Sequence, residues 1–376
     1  MLKIIYKYRI SPTKKQQTIL NKTLGECHWL YNHFLEERKG SWEKNKKSLN
    51  YYSQAVSIPK LKKQRPSLNS VYSQALQNVA VRVNLAFQSF FRRVKSGEKK
   101  VGYPRFKGRG CYDSFTYPQT GFEIIDNRLK LSKIGDIKIK LHRSIKGTIK
   151  TCTIRKQAGK WYVCFSCEVN SKPLKKSKET IGIDVGLTSF VTFSDGSKIG
   201  NPRFFRKDEK DLAKAQRKLS KQTKGFPERK RAKRVVAHIH ERIANRRNNF
   251  CHQEARKIVN RFGIICIEDL NINRMRENNF RSINRSISDV AWGMFVQYLT
   301  YKAESADRIL VRVNPAFTSQ DCSRCGYRQV KKLSDRIHHC SYCGLKIDRD
   351  YNSALNILRL GTQSLGIQSI EAPSAR

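Results

Sequence analysis

The sequence predicts a multidomain chain of mixed α/β class, and three observations carry that prediction. A strand-like opening leads into a long block of helical periodicity and then into a run of short alternating strands. The second half changes texture, with isolated apolar strands set between long basic helices. Near the end stand two tight cysteine pairs, each followed by glycine. At 376 residues the chain exceeds one folding unit, which usually spans roughly 100 to 200 residues.

The opening strand rests on Ile4, Tyr6, Tyr8 and Ile10, which alternate with lysine and arginine until Ser11-Pro12 ends the run. Helical spacing follows in Leu20, Leu24, Trp29, Leu30 and Phe34, and again from Leu76 through Val79, Val83, Ala86, Phe87 and Phe90. The segment Gly102-Tyr-Pro-Arg-Phe-Lys107 breaks this pattern. Short strands are then expected at Phe122–Ile125, Leu129–Leu131, Ile137–Ile139, Thr148–Ile154 and Trp161–Val169. Many short strands between turn residues predict a small β-barrel from residues 1–16 and 101–172, with a helical domain at 17–100 inserted after its first strand. Cys164 and Cys167 have metal-pair spacing, but on an extended chain an odd interval points them to opposite faces, so they read as strand residues.

A lysine-rich linker, Ser171 to Lys178, leads to the apolar strand Ile181-Gly-Ile-Asp-Val-Gly186. The basic segment Lys207–Arg247 fits two helices broken near Gly225-Phe-Pro227, with apolar positions at Leu212, Ala215 and Leu219 and then at Val235, Ile239 and Ile243. Its one-sided charge predicts a surface that tracks phosphates.

Lysine and arginine number 76 against 30 acidic residues, a formal net charge of +46. Such a chain repels itself unless a polyanion neutralises it, which points to nucleic acid. No apolar run approaches the ~18 residues of a membrane span. Lys3, Lys7 and Arg9 interrupt the opening before a secretory core can form, so no membrane partner is expected and the location is cytoplasmic, at the nucleoid when DNA is bound. In such a chain, paired cysteines imply metal thiolates rather than disulfides.

Three carboxylates stand out by context. Asp184 ends the strand Ile181–Val185, Glu268 ends Phe262–Ile267, and Asp350 precedes the helical run Ala354–Leu358, at separations of 84 and 82 residues. Carboxylates at the ends of neighbouring strands and at a helix start can converge, and their mutual repulsion then favours divalent cations between them. All-oxygen ligation suits Mg²⁺ or Mn²⁺, and a pair of such ions serves phosphodiester hydrolysis. Asp269, Asp321 and Asp348 are nearby competitors. Cys322-Ser-Arg-Cys325 and, after fourteen residues, Cys340-Ser-Tyr-Cys343 match a four-cysteine structural zinc site, with Gly326 and Gly344 permitting tight turns. With four thiolates present, His338 and His339 are expected at the surface or against nucleic acid.

The stretches Arg285–Gly293, Tyr301–Glu304, Thr318–Gly326 and Asp348–Ile357, with Tyr31-Asn-His33, Ala75–Asn78 and Gly102–Lys107, resemble the TnpB family of insertion-sequence-encoded, RNA-guided DNA endonucleases, relatives of type V CRISPR effectors. The resemblance covers nearly the whole chain. It implies a RuvC nuclease domain of RNase H-like fold at 177–317 and 348–376, with an inserted zinc ribbon at 318–347. It also implies a wedge-like β-barrel and a helical recognition domain. The family's catalytic triad falls on Asp184, Glu268 and Asp350, with Asp350 favoured over Asp348 because it lies two residues before the asparagine. The zinc ligands fall on Cys322, Cys325, Cys340 and Cys343. Implied partners are a transposon-derived guide RNA (ωRNA) and a double-stranded DNA target beside a short motif, which Tyr52 and Gln77 are expected to contact. The rival functions are a transposase or its accessory, and a nuclease-inactive RNA-guided repressor; the intact carboxylates argue against the latter.

Overall fold

The computed structural model describes residues 2–367 apart from 99–100, 109, 171–172, 278 and 333, so part of the linker and the end of the polar tail lie outside the described residues. The chain divides into two compact units, Met1–Asn170 and Ser171–Arg376.

The first unit begins with β1 (Leu2–Ser11), whose Tyr6, Tyr8 and Ile10 face inward as their alternation predicts. Helices α1 (Lys14–Asn45), α2 (Tyr51–Gln64) and α3 (Ser73–Lys95) follow, with a 3-10 turn at Pro66–Ser70. Thr13 and Gln16 form a reciprocal capping box that fixes where α1 starts. Strands β2 (Ser114–Tyr117), β3 (Phe122–Ile125), β4 (Arg128–Leu131), β5 (Gly135–Lys140), β6 (Thr148–Gln157) and β7 (Lys160–Val169) complete a seven-stranded sheet ordered β2-β6-β7-β1-β5-β4-β3. Thus β1 is internal, antiparallel to β7 from Leu2↔Val169 to Ile10↔Trp161 and to β5 at Arg9↔Lys140. The Tyr117 hydroxyl donates to the Ser132 carbonyl at 2.9 Å, drawing edge strand β2 towards the other end of the sheet. The sheet is a near-barrel. Cys167 is buried and Cys164 half-buried on the opposite face, as the odd spacing predicts.

The second unit contains β8 (Thr180–Val185), β9 (Ser189–Phe193), β10 (Lys198–Gly200), α4 (Phe204–Ser220), α5 (Pro227–Arg261), β11 (Ile264–Glu268), α6 (Ile272–Glu277), α7 (Arg281–Val290), α8 (Trp292–Ser305), β12 (Ile309–Val313), β13 (Ile337–His339), β14 (Lys346–Asp348) and α9 (Arg349–Ser364). Its main sheet is ordered β10-β9-β8-β11-β12, with β8, β11 and β12 parallel and β9 and β10 antiparallel. The inner strands β8 and β11 are mostly apolar because both faces are covered, whereas edge strand β12 carries Arg312 and exposed Ile309.

Helix α9 lies close against this sheet, and two glycines allow it. A Cβ on Gly182 would sit 2.1 Å from the Ala354 carbonyl, and one on Gly361 would sit 2.2 Å from Cys266 Sγ. Both distances fall below any tolerable contact. Small residues on both elements therefore set the depth at which α9 lies.

The basic helices α4 and α5 form the expected pair, but their cations divide into two groups. Buried Asp208 pairs with Arg242 at 2.7 Å and Arg246 at 3.3 Å, and buried Asp289 pairs with Arg247 at 2.6 Å. Those arginines hold the helices in place. Lys214, Arg217, Lys218, Arg231, Lys233 and Arg234 remain exposed for an outside partner. Val235, assigned to the apolar stripe by periodicity, is exposed, because α5 buries a continuous face only in its second half.

Candidate active site

Parallel pairing of β8 with β11 aligns Ile183 with Ile267, so the next residues, Asp184 and Glu268, stand side by side at the same end of the sheet. Asp350 arrives from the first turn of α9. A Cβ on Gly186, just past β8, would lie 3.9 Å from its Oδ2. Burial first, then the negative charges of Glu268 and Asp350, pushes the Asp184 carboxyl well above the usual carboxylate range, while Arg349 and the Ser353 hydroxyl pull the other way. Ser353 Oγ lies 3.5 Å from Asp184 Oδ1. Glu268 is only 9 % exposed, and burial raises its pKa against a 2.6 Å hydrogen bond donated by the Thr318 hydroxyl.

The competing aspartates are engaged elsewhere. Asp348 is the N-cap of α9, accepting from the Asp350 and Tyr351 amides at 3.0 Å each, and it pairs with Lys198 at 2.9 Å. Burial raises its pKa, but Lys198 and those amides outweigh burial and hold it low. Asp269 pairs with Arg312 at 3.3 Å and Asp321 with Arg328 at 2.6 Å. Asp350 has an ion pair of its own, with Arg349 at 3.4 Å, but it is Asp350 and not Asp348 whose charge acts on Asp184.

Three buried or half-buried carboxylates, two of which push up the pKa of the third, form a donor set that fits divalent cations. Among the described residues, the cysteine quartet is the group of three or more ligand types whose donor atoms all lie within 4.8 Å of one another. A cavity of about 350 Å³ opens beside Glu268, lined also by Val185, Leu270, Trp292, Tyr301 and Arg312.

In the quartet, Cys322 and Cys343 sulfurs lie 3.6 Å apart, as do those of Cys325 and Cys340. Cys322 and Cys325 share one tight turn, and Cys340 and Cys343 another of the same form. Gly326 N–H donates to the Cys322 carbonyl and Gly344 N–H to the Cys340 carbonyl, with both glycines at positive φ, 76° and 72°. Backbone N–H donors of Cys343 and Tyr342 bring the Cys340 thiol down to about 6. Cys340 is thereby the member of the quartet most readily deprotonated for a metal, whereas burial raises the Cys322 thiol.

His338 corrects an expectation. It is fully buried, because alternation along β13 turns it inward between exposed Ile337 and His339, and its Nδ1 contacts Lys331. His339 is exposed. Tyr52 on α2 and Gln77 on α3 are both exposed, Tyr52 to 74 %, which leaves them accessible to a partner.

Sequence reasoning assigned no role to four polar residues that tie these parts together. Besides Thr318 and Ser353, buried Asn352 donates to the Asp321 carbonyl at 2.8 Å and accepts from Ser323 N–H at 2.9 Å. Buried Asn356 donates to the Thr318 and Asp321 carbonyls at 2.9 and 2.7 Å. Helix α9 thus grips the root of the cysteine loop. Asn356→Ala, which takes the side-chain donor from the Thr318 carbonyl and leaves the Asp321 carbonyl with that of Asn352, is expected to cost about 1–3 kcal/mol, measured as a lower denaturant midpoint. An unchanged midpoint would show the grip to be immaterial.

Comparison with known proteins places this architecture. Family profiles match at residues 163–279 ("Probable transposase"), 292–357 ("Cas12f1-like, TNB domain") and 1–47 ("Helix-turn-helix domain"). The last stretch folds here as β1 and one unbroken helix, without a turn between two helices. The fold is that of the Cas12f1 protein solved by cryo-EM with single-guide RNA and target DNA, at TM-score 0.57 and 15% identity over 91% of this chain and 82% of that one. A candidate RNA-guided DNA endonuclease of Streptomyces pristinaespiralis is 34% identical, covering 96% of this chain and 90% of the relative. A second, InsQ of Escherichia coli K12, is 30% identical, covering 95% and 92%. The chain belongs to the TnpB family of transposon-encoded RNA-guided DNA endonucleases.

Proposed function

We propose that this protein is an RNA-guided DNA endonuclease of an insertion sequence, cutting target DNA beside a short transposon-associated motif. The observation that carries the reading is the meeting of Asp184, Glu268 and Asp350 at one end of a mixed sheet with a cavity alongside. In this reading the second unit is a RuvC nuclease domain of RNase H-like fold, residues 177–317 and 348–376, carrying a zinc ribbon at 318–347. The first unit is a wedge barrel, 1–16 and 101–172, with a recognition domain at 17–100.

Asp184, Glu268 and Asp350 would hold two Mg²⁺ or Mn²⁺ ions. When bound, such ions lower the pKa of an attacking water and stabilise the leaving oxygen of the phosphodiester. Thr318 orients Glu268 and Ser353 orients Asp184, so the carboxylates are fixed before substrate arrives. Cys322, Cys325, Cys340 and Cys343 would hold a structural Zn²⁺ with no open position for chemistry. The exposed cations of α4 and α5 supply sequence-independent grip on phosphates, while guide pairing selects the target. Tyr52 and Gln77 would contact the target-adjacent motif.

The test is expression together with the DNA that naturally flanks the gene, sequencing of copurifying RNA, and plasmid cleavage in Mg²⁺. A discrete RNA and guide-dependent cuts are expected. Bound RNA without cuts would instead indicate an RNA-guided repressor, and strand-joined products a transposase.

A further inference from the structure

The irregular segment Gly102–Lys107 has no regular secondary structure, yet it is held at both ends. Arg93 donates to the Gly102 carbonyl at 3.1 Å. At the far end, the Asn32 side chain donates to the Lys107 carbonyl at 3.0 Å and accepts from Lys107 N–H at 2.8 Å. Ordering such a segment costs conformational entropy, and what it displays is largely outside the core. Tyr103, 43 % exposed, stands edge-on to Phe87 and Phe90 with ring centroids 5.5 and 5.3 Å apart. Phe90 in turn meets Phe91 edge-on at 5.2 Å. An aromatic ladder therefore runs from buried Phe87 out to Phe91, which is 52 % exposed on the last turns of α3.

Phe87, Phe91 and Val94 continue one helical stripe, but the last two are exposed. Charge identifies what covers them. Residues 87–107 contain seven lysines and arginines and one acid, Glu98. A second copy of this chain would bring the same cations and a net charge of +46 to the same place. Exposed aromatic rings among cations match the two demands of an unpaired nucleic-acid strand, a stacking surface for bases and counter-charge for phosphates.

We propose that Phe91 and Tyr103 form a stacking platform for an unpaired stretch of nucleic acid, with Arg92 and Arg105 along its phosphates. The inference rests on the nucleic-acid reading given above. Its test is fluorescence anisotropy of the full chain with labelled oligouridylate and oligothymidylate, at low and raised salt. Phe91→Leu keeps apolar area but loses the ring, and it is expected to weaken binding about ten-fold. The ratio to wild type should persist at raised salt, because stacking releases no counterions. Phe91→Tyr should bind as wild type. A loss confined to uridylate identifies the occupant as RNA, one confined to thymidylate as DNA, and either supports the platform. Equal binding by wild type and Phe91→Leu would overturn it, as would equal losses in the leucine and tyrosine variants. Light scattering that shows Phe91→Leu dissociating a dimer, with oligonucleotide affinity unchanged, would assign the patch to a second copy instead. A wild type that binds neither oligonucleotide would refute the nucleic-acid reading itself, whereas a wild type that binds as its leucine variant does would remove only the platform.

Discussion

Asp184→Asn is expected to abolish cleavage of a guide-matched plasmid while leaving guide RNA bound. The substitution keeps the shape of the side chain and an oxygen for the Ser353 hydroxyl, but removes the central negative charge of the carboxylate set. Divalent ions contribute several kcal/mol of transition-state stabilisation, and at about 1.4 kcal/mol per factor of ten the loss is on the order of a thousand-fold or more. The exposed cations of α4 and α5 are untouched, so RNA retention should match wild type. Persistent cutting by this variant would refute the site.

The same variant should be more stable than wild type in Mg²⁺-free buffer near neutrality. The folded-state carboxyl of Asp184 is raised above its ordinary 3.8 by burial and by Glu268 and Asp350. Between these two pKa values the folded chain keeps a proton that the unfolded chain has released. Wild-type stability therefore falls as pH rises through that window, and the penalty persists above it. Asparagine carries no such penalty. Its advantage in melting temperature should be absent below about pH 4, grow towards neutrality, and shrink when Mg²⁺ is added. An advantage independent of pH would show that charge repulsion is not its cause.

How much of this was legible in the sequence depends on how local each signal is. Asp184 and Glu268 could be placed because each directly follows an apolar run, Ile181–Ile183 and Ile264–Ile267, and a carboxylate at the end of such a strand has its position set by that strand. The cysteine quartet was legible because spacing and glycine placement specify its turns almost without help from the rest of the chain. Thr318, Asn352, Ser353 and Asn356 were not legible as site residues. Their meaning lies in partners 29 to 169 residues away, and a buried amide has the same letter as a solvated one. His338 was misplaced for a related reason: two adjacent histidines on a strand must face opposite sides, but only the packing beneath β13 decides which turns inward. Strand β2 was missed although Ser114-Phe-Thr-Tyr117 alternates polar and apolar; its place is fixed by pairing with β6.

Removal of the metal from the cysteine quartet is expected to disable the carboxylate site as well. The cysteine loop is tied to α9 through Asn352 and Asn356. Its preceding residue Thr318 is held by Asn356 and donates to Glu268. One chain of buried hydrogen bonds thus leads from the quartet to a proposed magnesium ligand. A structural zinc is worth on the order of 10 kcal/mol to the fold that binds it. Without it the four thiols, two of them buried, have no common partner, and the loop loses its reason to stay closed. Cys340→Ser should abolish the single equivalent of zinc measured by atomic absorption and lower the melting temperature of the second unit. Cleavage should fall by at least about ten-fold, since misplacing a catalytic group by an ångström can cost about a hundred-fold. Cys167→Ser, in the barrel sheet, should leave zinc content and cleavage unchanged. Full zinc retention in Cys340→Ser would refute the four-thiolate site; zinc loss with unimpaired cleavage would show that the Asn356–Thr318–Glu268 chain holds without its metal.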